Sequence, residues 1–369
     1  MAVALSQAQA ESRYGQIVAK VQRQRRLFSA HWELTYRCNE LCTHCYLDVL
    51  PPGSRVPGEL TIEECKSILD QLASEGVLNL TFSGGEILVR CDFFKIAEYA
   101  RKKGFALTLY TNGILIKPTV ADRIAALHPF RVEISIYGSR AETHDRITLR
   151  PRSFELTGRA CQLLIERGVR VQLKAMLMHE NVHELHEMRG LASGLGANFK
   201  YDITITPKDT GDLSPLVHRM TDEDLLWLFR ETIDEKAADM WRHKLTSHLD
   251  PGHRFCGITL NSLLVDPYGE VYPCVQTRIS AGNLREQSIR QIWRESPVWE
   301  RLGNLTLESL PVCSTCELKS YCTRCHGLAM MADGDLHTCA SICQREARLR
   351  RQVLQEKGVT DNGKGRTYQ

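Results

Sequence analysis

The sequence has no long apolar segment and almost no excess of either charge. Its 369 residues include 47 basic and 44 acidic side chains, which gives a formal net charge of +3. No apolar run approaches the length that crosses a bilayer, and the N-terminus lacks the apolar stretch of a secretory signal. The balanced charge argues against nucleic acid or an anionic membrane as the main partner. We therefore predict a cytoplasmic protein that binds neither nucleic acid nor membrane.

Cysteine, in contrast, is plentiful, with 14 residues in the chain. The cytosol disfavours disulfides, so metal binding explains the cysteines better. Three of them, Cys38, Cys42 and Cys45, crowd into the stretch ELTYRCNELCTHCYLD. A structural zinc site uses four ligands and a disulfide two, whereas a four-iron cluster on three cysteines keeps one iron open. The triplet therefore indicates an iron-sulfur cluster with a reactive iron.

Strand-like and helix-like patterns alternate over the first two thirds of the chain. The predicted strands are 31–37, 79–84, 106–112, 131–138, 171–178 and 199–207. The predicted helices lie near 60–76, 92–103, 118–127, 154–168, 182–193 and 221–236. This α/β alternation predicts a parallel sheet covered by helices, either doubly wound or a barrel. Ligands bind at the carboxyl ends of such strands, so the cysteine loop and the SGGE turn after the second strand are expected to be neighbours.

The pattern changes near residue 245, where a hairpin turning at 267–269 precedes a cysteine-rich stretch. We predict an N-terminal extension at 1–30, a core at 31–245, a small irregular domain at 246–347 and a tail at 348–369. Eight cysteines fall in the small domain: Cys256, Cys274, Cys313, Cys316, Cys322, Cys325, Cys339 and Cys343. They are enough to fill two four-iron clusters, and zinc knuckles are the alternative.

The spacing of Cys38, Cys42 and Cys45 at the end of the first strand resembles the signature of the radical S-adenosylmethionine superfamily. This resemblance implies a partial (β/α)6 TIM-like barrel that binds S-adenosylmethionine beside a [4Fe-4S] cluster. It also implies an oxidoreductase that forms a 5'-deoxyadenosyl radical and removes hydrogen from an unactivated C–H bond. The three cysteines would be the ligands of that catalytic cluster.

Four more residues match positions at which this family contacts S-adenosylmethionine. His44 precedes the last cysteine and would pack on the adenine. Gly84, Gly85 and Glu86 form the glycine-rich turn whose backbone and acidic side chain would receive the ammonium of the methionine moiety. The resemblance thus assigns the two loops to one binding site.

The ribose and the methionine carboxylate also have candidate partners. Ser135 matches the ribose-contacting position at the end of the fourth strand. Arg150 and Arg152 are alternatives for the carboxylate, because guanidinium suits its bidentate recognition. The predicted site includes Arg152.

The cysteine-rich region resembles the SPASM extension found in maturases of peptides and proteins. The resemblance rests on Gly269 followed by Cys274 and on the motif CSTCELKSYCTRC. It implies a nearer cluster with Cys256, Cys274 and Cys325, and an outer cluster with Cys313, Cys316 and Cys322. Cys339 and Cys343 would complete them in an order that stays open. Two residues separate Cys322 from Cys325, where the family usually has three, and this difference also leaves the partition open.

The combined resemblance implies a maturase that oxidises or cross-links a ribosomally made precursor peptide, as in pyrroloquinoline quinone biosynthesis. The thirty N-terminal residues are few for a leader-binding domain, so we expect a separate leader-peptide recognition protein. A flavodoxin- or ferredoxin-like reductant is the other expected partner. A sulfatase-type protein maturase and a small-molecule enzyme, such as one of tetrapyrrole modification, are alternatives with the same chemistry. A non-catalytic iron-sulfur or zinc protein of electron transfer or binding is the alternative from another class.

Three cysteines and two acids stand outside these assignments. Cys65, Cys91 and Cys161 each lie alone in or beside a predicted helix and are expected to be buried structural thiols. Asp202 and Asp209 border the sixth strand on the side that faces the substrate, where a catalytic carboxylate is possible.

Overall fold

The computed structural model describes residues 12–246 and 249–360. Within these residues, nine strands form one sheet: β1 (Ser29–Thr35), β2 (Asn79–Gly84), β3 (Ala106–Thr111), β4 (Arg131–Ser135), β5 (Val171–Met176), β6 (Asn198–Asp202), β7 (Ser262–Val265), β8 (Glu270–Tyr272) and β9 (Gly282–Asn283). Their order is β6-β5-β4-β3-β2-β1-β7-β8-β9. β1 to β6 are parallel neighbours, which confirms the predicted partial barrel.

The described residues also form helices, of which those between residues 62 and 195 connect the parallel strands, as the alternation predicts. They are α1 (Arg13–Arg23), α2 (Ile62–Ser74), α3 (Phe93–Lys102), α4 (Pro118–Ala126), α5 (Ala141–Thr148), α6 (Ser153–Ile165), α7 (Leu185–Leu195), α8 (Asp222–Thr232), α9 (Glu235–Thr246), α10 (Ile289–Glu295), α11 (Pro297–Gly303), α12 (Pro311–Ser314), α13 (His326–Asp333) and α14 (Ser341–Glu356). The sequence did not predict α5, because its buried side chains are mostly polar and form no apolar stripe. No helix among the described residues is both long and apolar enough for a membrane crossing.

The two faces of the parallel sheet differ in chemistry. On β1, Trp32 and Leu34 are fully buried on one face, while Glu33 lies on the other. The register then places polar side chains opposite one another, with Tyr110 across from Glu133. Parallel sheets with two apolar faces have nearly continuous hydrophobic strands, so this alternation indicates a polar barrel interior.

The chain forms two compact units that are interleaved in sequence. One holds residues up to Arg219 together with Gly257–Gly303, and the other holds Met220–Cys256 together with residues from Asn304 onward. Segment 257–303 belongs to the first unit because β7 pairs in parallel with β1. The antiparallel hairpin of β7 and β8 confirms the predicted turn. The sequential domain limits at residues 30, 245 and 347 stay predictions, and α14 continues across residue 347.

Candidate active site

The cysteine triplet lies in a loop that leaves β1 and is held by backbone hydrogen bonds. The Cys38 amide donates to the Leu50 carbonyl over 2.8 Å, and the Leu50 amide donates to the Tyr36 carbonyl over 2.9 Å. At the far side, the Thr43 amide donates to the Ile147 carbonyl over 2.9 Å. These bonds close the loop at its base and fix it against the end of α5.

The glycine pair of SGGE brings the end of β2 against the start of this loop. The Gly85 amide donates to the Thr35 carbonyl over 2.8 Å, and the Glu86 amide donates to the Arg37 carbonyl over 2.9 Å. A Cβ atom on Gly84 would overlap the Thr35 carbonyl oxygen, and one on Gly85 would overlap that of Arg37. Gly84 also has a φ of +126°. The structure thus requires glycine at both positions and brings the two loops together, as expected.

The three thiols are largely enclosed by protein. Burial raises the pKa of Cys38 to about 12 and that of Cys45 to about 11. Burial also raises the pKa of Cys42, with further contributions from Glu40 and the other two sulfurs. Thiolates therefore need a nearby cation, and iron supplies one, since coordination deprotonates a thiol. The donor set fits a cluster site.

Glu40 lies between the thiols and was not predicted as a site residue. Its amide donates to the Cys38 sulfur over 3.5 Å, and the Cys42 thiol donates to its Oε2 over 3.6 Å. Burial, followed by repulsion from Glu86, raises the pKa of Glu40 to about 8. A protonated Glu40 limits the negative charge that accumulates around the thiols at neutral pH.

Several buried polar atoms around the loop have no hydrogen-bond partner in the described part of the chain. They are Asn39 Nδ2, Glu40 Oε1, Thr43 Oγ1, His44 Nδ1 and Arg150 Nε. Arg150 lies at this loop, because its Nη1 donates to the Asn39 carbonyl over 3.0 Å. Buried polar groups in proteins are nearly always hydrogen-bonded. This concentration fits a polar ligand with donors and acceptors, such as S-adenosylmethionine.

Glu86 is fully buried, and its carboxylate accepts several hydrogen bonds from the protein. Its carboxylate accepts from the Leu88 amide over 3.0 Å, the Asn112 amide over 2.7 Å and the Thr111 hydroxyl over 2.8 and 2.9 Å. Asn112 in turn donates to the Asn39 side chain over 2.7 Å. Glu86 therefore connects the ends of β2 and β3 with the cysteine loop. Its contact with the methionine ammonium stays a prediction.

His44 and Ser135 meet at Tyr137, a residue that the sequence analysis missed. The His44 and Tyr137 rings pack edge to face, with centroids 4.5 Å apart. Ser135, at the end of β4, lies next to the Tyr137 hydroxyl. Burial lowers the pKa of His44 to about 3, so its ring is neutral. A neutral ring suits stacking on a heterocycle better than recognition of an anion.

The two candidate arginines have different surroundings. Arg152 has a side chain that is 73% exposed and an ion pair with Glu155 at 3.1 Å. Arg150, in contrast, contacts the cysteine loop through Asn39. The structure therefore brings Arg150 to the site, while the predicted role of Arg152 stays untested and has no support in this geometry.

A buried ion pair lies next to the same loop. Arg278 donates to both carboxylate oxygens of Glu33 over 2.8 and 2.9 Å. Glu33 also accepts from the Tyr46 hydroxyl over 2.7 Å and the Tyr36 hydroxyl over 3.2 Å. Tyr46 directly follows the last cysteine of the triplet, and Arg278 comes shortly after Cys274. The network connects these two segments within the first compact unit, and no short motif in the sequence indicates it.

The second unit contains a pocket lined by four of the C-terminal cysteines. They are Cys313, Cys316, Cys322 and Cys339. Cys343 is buried nearby, and the Cys325 amide is hydrogen-bonded to its sulfur. Cys256 belongs to this second unit, whereas Cys274 belongs to the first. In the described residues, no three ligand side chains are arranged around a single metal ion.

The carboxylates near β6 are engaged with the backbone. Asp202 Oδ1 accepts from the amides of Ile203 and Thr204 over 2.8 and 3.0 Å. Asp209 Oδ1 accepts from the Asp48 amide over 3.0 Å and so supports the end of the cysteine loop. These contacts indicate structural roles for both aspartates.

The three cysteines outside the proposed cluster sites differ in burial. Cys65 and Cys161 are buried, in agreement with the prediction. Cys91 is exposed, so the expectation of a buried thiol was wrong at this position. It lies two residues before α3, in a turn at the surface.

Comparison with known proteins identifies the family. The profile of the Radical SAM superfamily matches residues 32–192, and that of the SPASM iron-sulfur cluster-binding domain matches residues 256–326. AdoMet-dependent heme synthase of Methanosarcina barkeri is 33% identical over 326 residues, which cover 82% of this chain and 92% of that protein. The chain belongs to the radical SAM superfamily. Mycofactocin maturase MftC of Mycobacterium tuberculosis is 32% identical over 313 residues, covering 82% of this chain and 78% of MftC.

Solved structures show the same radical SAM fold. SuiB of Streptococcus suis bound to precursor peptide SuiA superposes with a TM-score of 0.67 at 14% identity, covering 90% of this chain and 80% of SuiB. The structure of anSMEcpe with bound AdoMet has a TM-score of 0.66 at 17% identity, covering 90% of this chain and 94% of anSMEcpe. As a radical SAM enzyme with a SPASM domain, the protein uses [4Fe-4S] clusters and S-adenosylmethionine.

Proposed function

We propose that this radical SAM enzyme is a maturase that oxidises or cross-links a ribosomally made precursor peptide. The observation that carries this proposal is the 32% identity to MftC across both the barrel and the SPASM domain. The fold shared with SuiB, a protein solved with its precursor peptide, is compatible with the same substrate class.

In this proposal, Cys38, Cys42 and Cys45 hold the catalytic cluster. When bound, that cluster and S-adenosylmethionine supply a 5'-deoxyadenosyl radical, which takes hydrogen from an unactivated C–H bond. The protein positions the reactants and excludes water. Arg150 binds the methionine carboxylate, because its Nε is buried at the loop without a partner among the described residues. His44 packs on the adenine.

The lining of the C-terminal pocket supports one ligand partition for the auxiliary clusters. Cys313, Cys316, Cys322 and Cys339 would hold the outer cluster, since all four line this pocket. The resemblance to the SPASM family assigns Cys256, Cys274 and Cys325 to the nearer cluster, and Cys343 is then its remaining candidate ligand. When bound there, the two clusters would supply electron-transfer chemistry and could accept an electron from an oxidised substrate.

The partners and the location remain part of the proposal. A separate leader-peptide recognition protein would deliver the precursor, and a flavodoxin- or ferredoxin-like protein would supply electrons. The cytoplasm is the compartment in which such a reductant and the reduced cysteines are both available.

A haem precursor is the second candidate substrate. It is favoured by the 33% identity to a heme synthase, of which this chain covers 92%. This identity favours the alternative of a tetrapyrrole-modifying enzyme. The two candidates differ in substrate and share the catalytic site.

Deuterium transfer separates these candidates. The reconstituted enzyme is given S-adenosylmethionine and dithionite, together with either a deuterated precursor peptide encoded near its gene or a deuterated haem precursor. We expect deuterium in 5'-deoxyadenosine, and a mass change in the substrate, only with the peptide. Transfer from the haem precursor alone would replace the peptide proposal with the tetrapyrrole function.

A further inference from the structure

A buried arginine lies beside the pocket of the second unit. Arg324 is 2% exposed and stands between Cys322 and Cys325 in the sequence. Its Nη1 donates to the Cys313 sulfur over 3.1 Å. The guanidinium thus touches one of the thiols that line the pocket.

The hydrogen-bond partners of Arg324 within the described residues are neutral groups. Nη1 also donates to the Thr338 carbonyl, and Nη2 donates to the Leu336 carbonyl. Nε donates to His326 Nδ1 over 3.4 Å, so this ring nitrogen acts as an acceptor. A buried charge is costly unless an opposite charge lies close to it. The Cys313 sulfur is the one partner in this set that can become an anion.

We infer that Arg324 sets the reduction potential of the outer auxiliary cluster through its charged hydrogen bond to the Cys313 sulfur. This inference rests on the proposed function, because it takes Cys313 as a ligand of that cluster. Reduction adds one electron to an already anionic group. A fixed positive charge in a poorly solvated site stabilises the more negative state, and hydrogen bonds to ligand sulfurs raise cluster potentials. Arg324 is therefore a positioning and charge-balancing residue that makes this cluster a better electron acceptor.

Three further hydrogen bonds hold the Arg324 guanidinium in one orientation. Two carbonyls and an imidazole hold it in place, so the charge cannot rotate away from the sulfur. Lysine would keep the charge at this position but could not reproduce the planar fork of donors.

The test is an anaerobic redox titration of the reconstituted full-length protein, followed by electron paramagnetic resonance. In Arg324→Gln, we expect the equilibrium constant for reduction of one auxiliary cluster to fall at least tenfold, a decrease of about 59 mV for one electron. Arg324→Lys should shift it less. Arg348→Gln removes the same charge from an arginine whose side chain is 61% exposed and should leave every potential unchanged.

Iron content makes each outcome decisive. An unchanged potential in fully loaded Arg324→Gln would overturn the inference. Loss of one cluster in Arg324→Gln but not in Arg324→Lys would support the charge-balancing role, whereas equal loss in both would overturn it in favour of a packing role. If the wild-type protein shows no auxiliary cluster, the ligand assignment in the proposed function fails, and the inference fails with it. Unchanged potentials in a loaded variant contradict the inference alone.

Discussion

The loop of the cysteine triplet and the C-terminal cysteine-rich region both present thiols, but different structural elements hold these thiols in place. In the first, the triplet follows β1 and is fixed by backbone hydrogen bonds and by the glycine pair after β2. In the second, most of the cysteines lie on loops and short elements, such as the four-residue α12, while Cys343 lies in the first turn of α14. Arg324 links the Cys313 sulfur to nearby carbonyl groups there. A sheet fixes its loops through strand register, whereas an irregular region depends on individual side chains.

Substitution of a glycine should break the first region completely. In Gly85→Ala, the new Cβ would overlap the Arg37 carbonyl oxygen, which is backbone and cannot turn away. We expect the loss of one cluster, about four iron atoms per chain, and of all 5'-deoxyadenosine formation. Iron analysis and the cleavage assay measure both effects. The control is Gly53→Ala, because a Cβ there has no neighbour within 4 Å. If Gly85→Ala keeps its iron and its cleavage activity, the close approach of the two loops is not required.

Removal of a pocket cysteine should affect the second region alone. In Cys339→Ser, we expect the outer cluster to be lost, with about four fewer iron atoms, while 5'-deoxyadenosine is still formed in the absence of substrate. Iron counting with spectroscopy of the remaining clusters is the measurement. Cys343→Ser is the matched variant and should remove the other auxiliary cluster. Loss of the same spectroscopic signal in both variants would refute the proposed partition.

The buried pair beside the triplet should matter for stability. Arg278→Met leaves Glu33, which is 0% exposed, without its cation. Breaking a buried pair in this way costs about 3–5 kcal/mol of the free energy of unfolding. Denaturant unfolding of the metal-free protein measures it, with Arg152→Met as the exposed control. Equal stability of the two variants would show that the Glu33 network does not stabilise the first unit.

The smallest effect is expected for Arg150, the arginine proposed to bind the methionine carboxylate. Under this proposal, Arg150→Gln removes a charged hydrogen bond worth about 1.5–3 kcal/mol, so S-adenosylmethionine should bind roughly ten- to a hundredfold more weakly. Equilibrium dialysis with the unreduced, cluster-loaded protein measures the affinity. Arg152→Gln should bind normally. The reverse result would reinstate Arg152 as the carboxylate partner.

Local spacing predicted the residues whose positions depend on strand order. Cys38, Gly84 and Gly85 were predicted from motifs that resemble those of the radical SAM superfamily, and their two loops were expected to be neighbours because the ends of adjacent parallel strands lie together. Glu40 was missed because it stands between the motif cysteines without being one of the motif residues. Tyr137 and Arg278 were missed because they contact His44 and Glu33, which are distant from them in sequence. Arg278 is 245 positions from its partner Glu33, and no short motif connects them.

The assignment of Cys339 and Cys343 to the two auxiliary clusters also depends on contacts that the sequence does not show. Spacing alone did not separate Cys339 from Cys343, because both follow the motif that ends at Cys325. The fold distinguishes them: Cys339 lines the pocket, while the Cys343 sulfur is hydrogen-bonded to the Cys325 amide. β7 was likewise expected in the small domain but continues the core sheet next to β1, a pairing between strands far apart in sequence.

The most direct test is anaerobic reconstitution with iron and sulfide, followed by addition of S-adenosylmethionine and a strong reductant. Three four-iron clusters predict about twelve iron atoms per chain. We expect 5'-deoxyadenosine from the wild-type protein and none from Cys42→Ala. Bound zinc, or a fully loaded wild-type protein that forms no 5'-deoxyadenosine, would contradict this account.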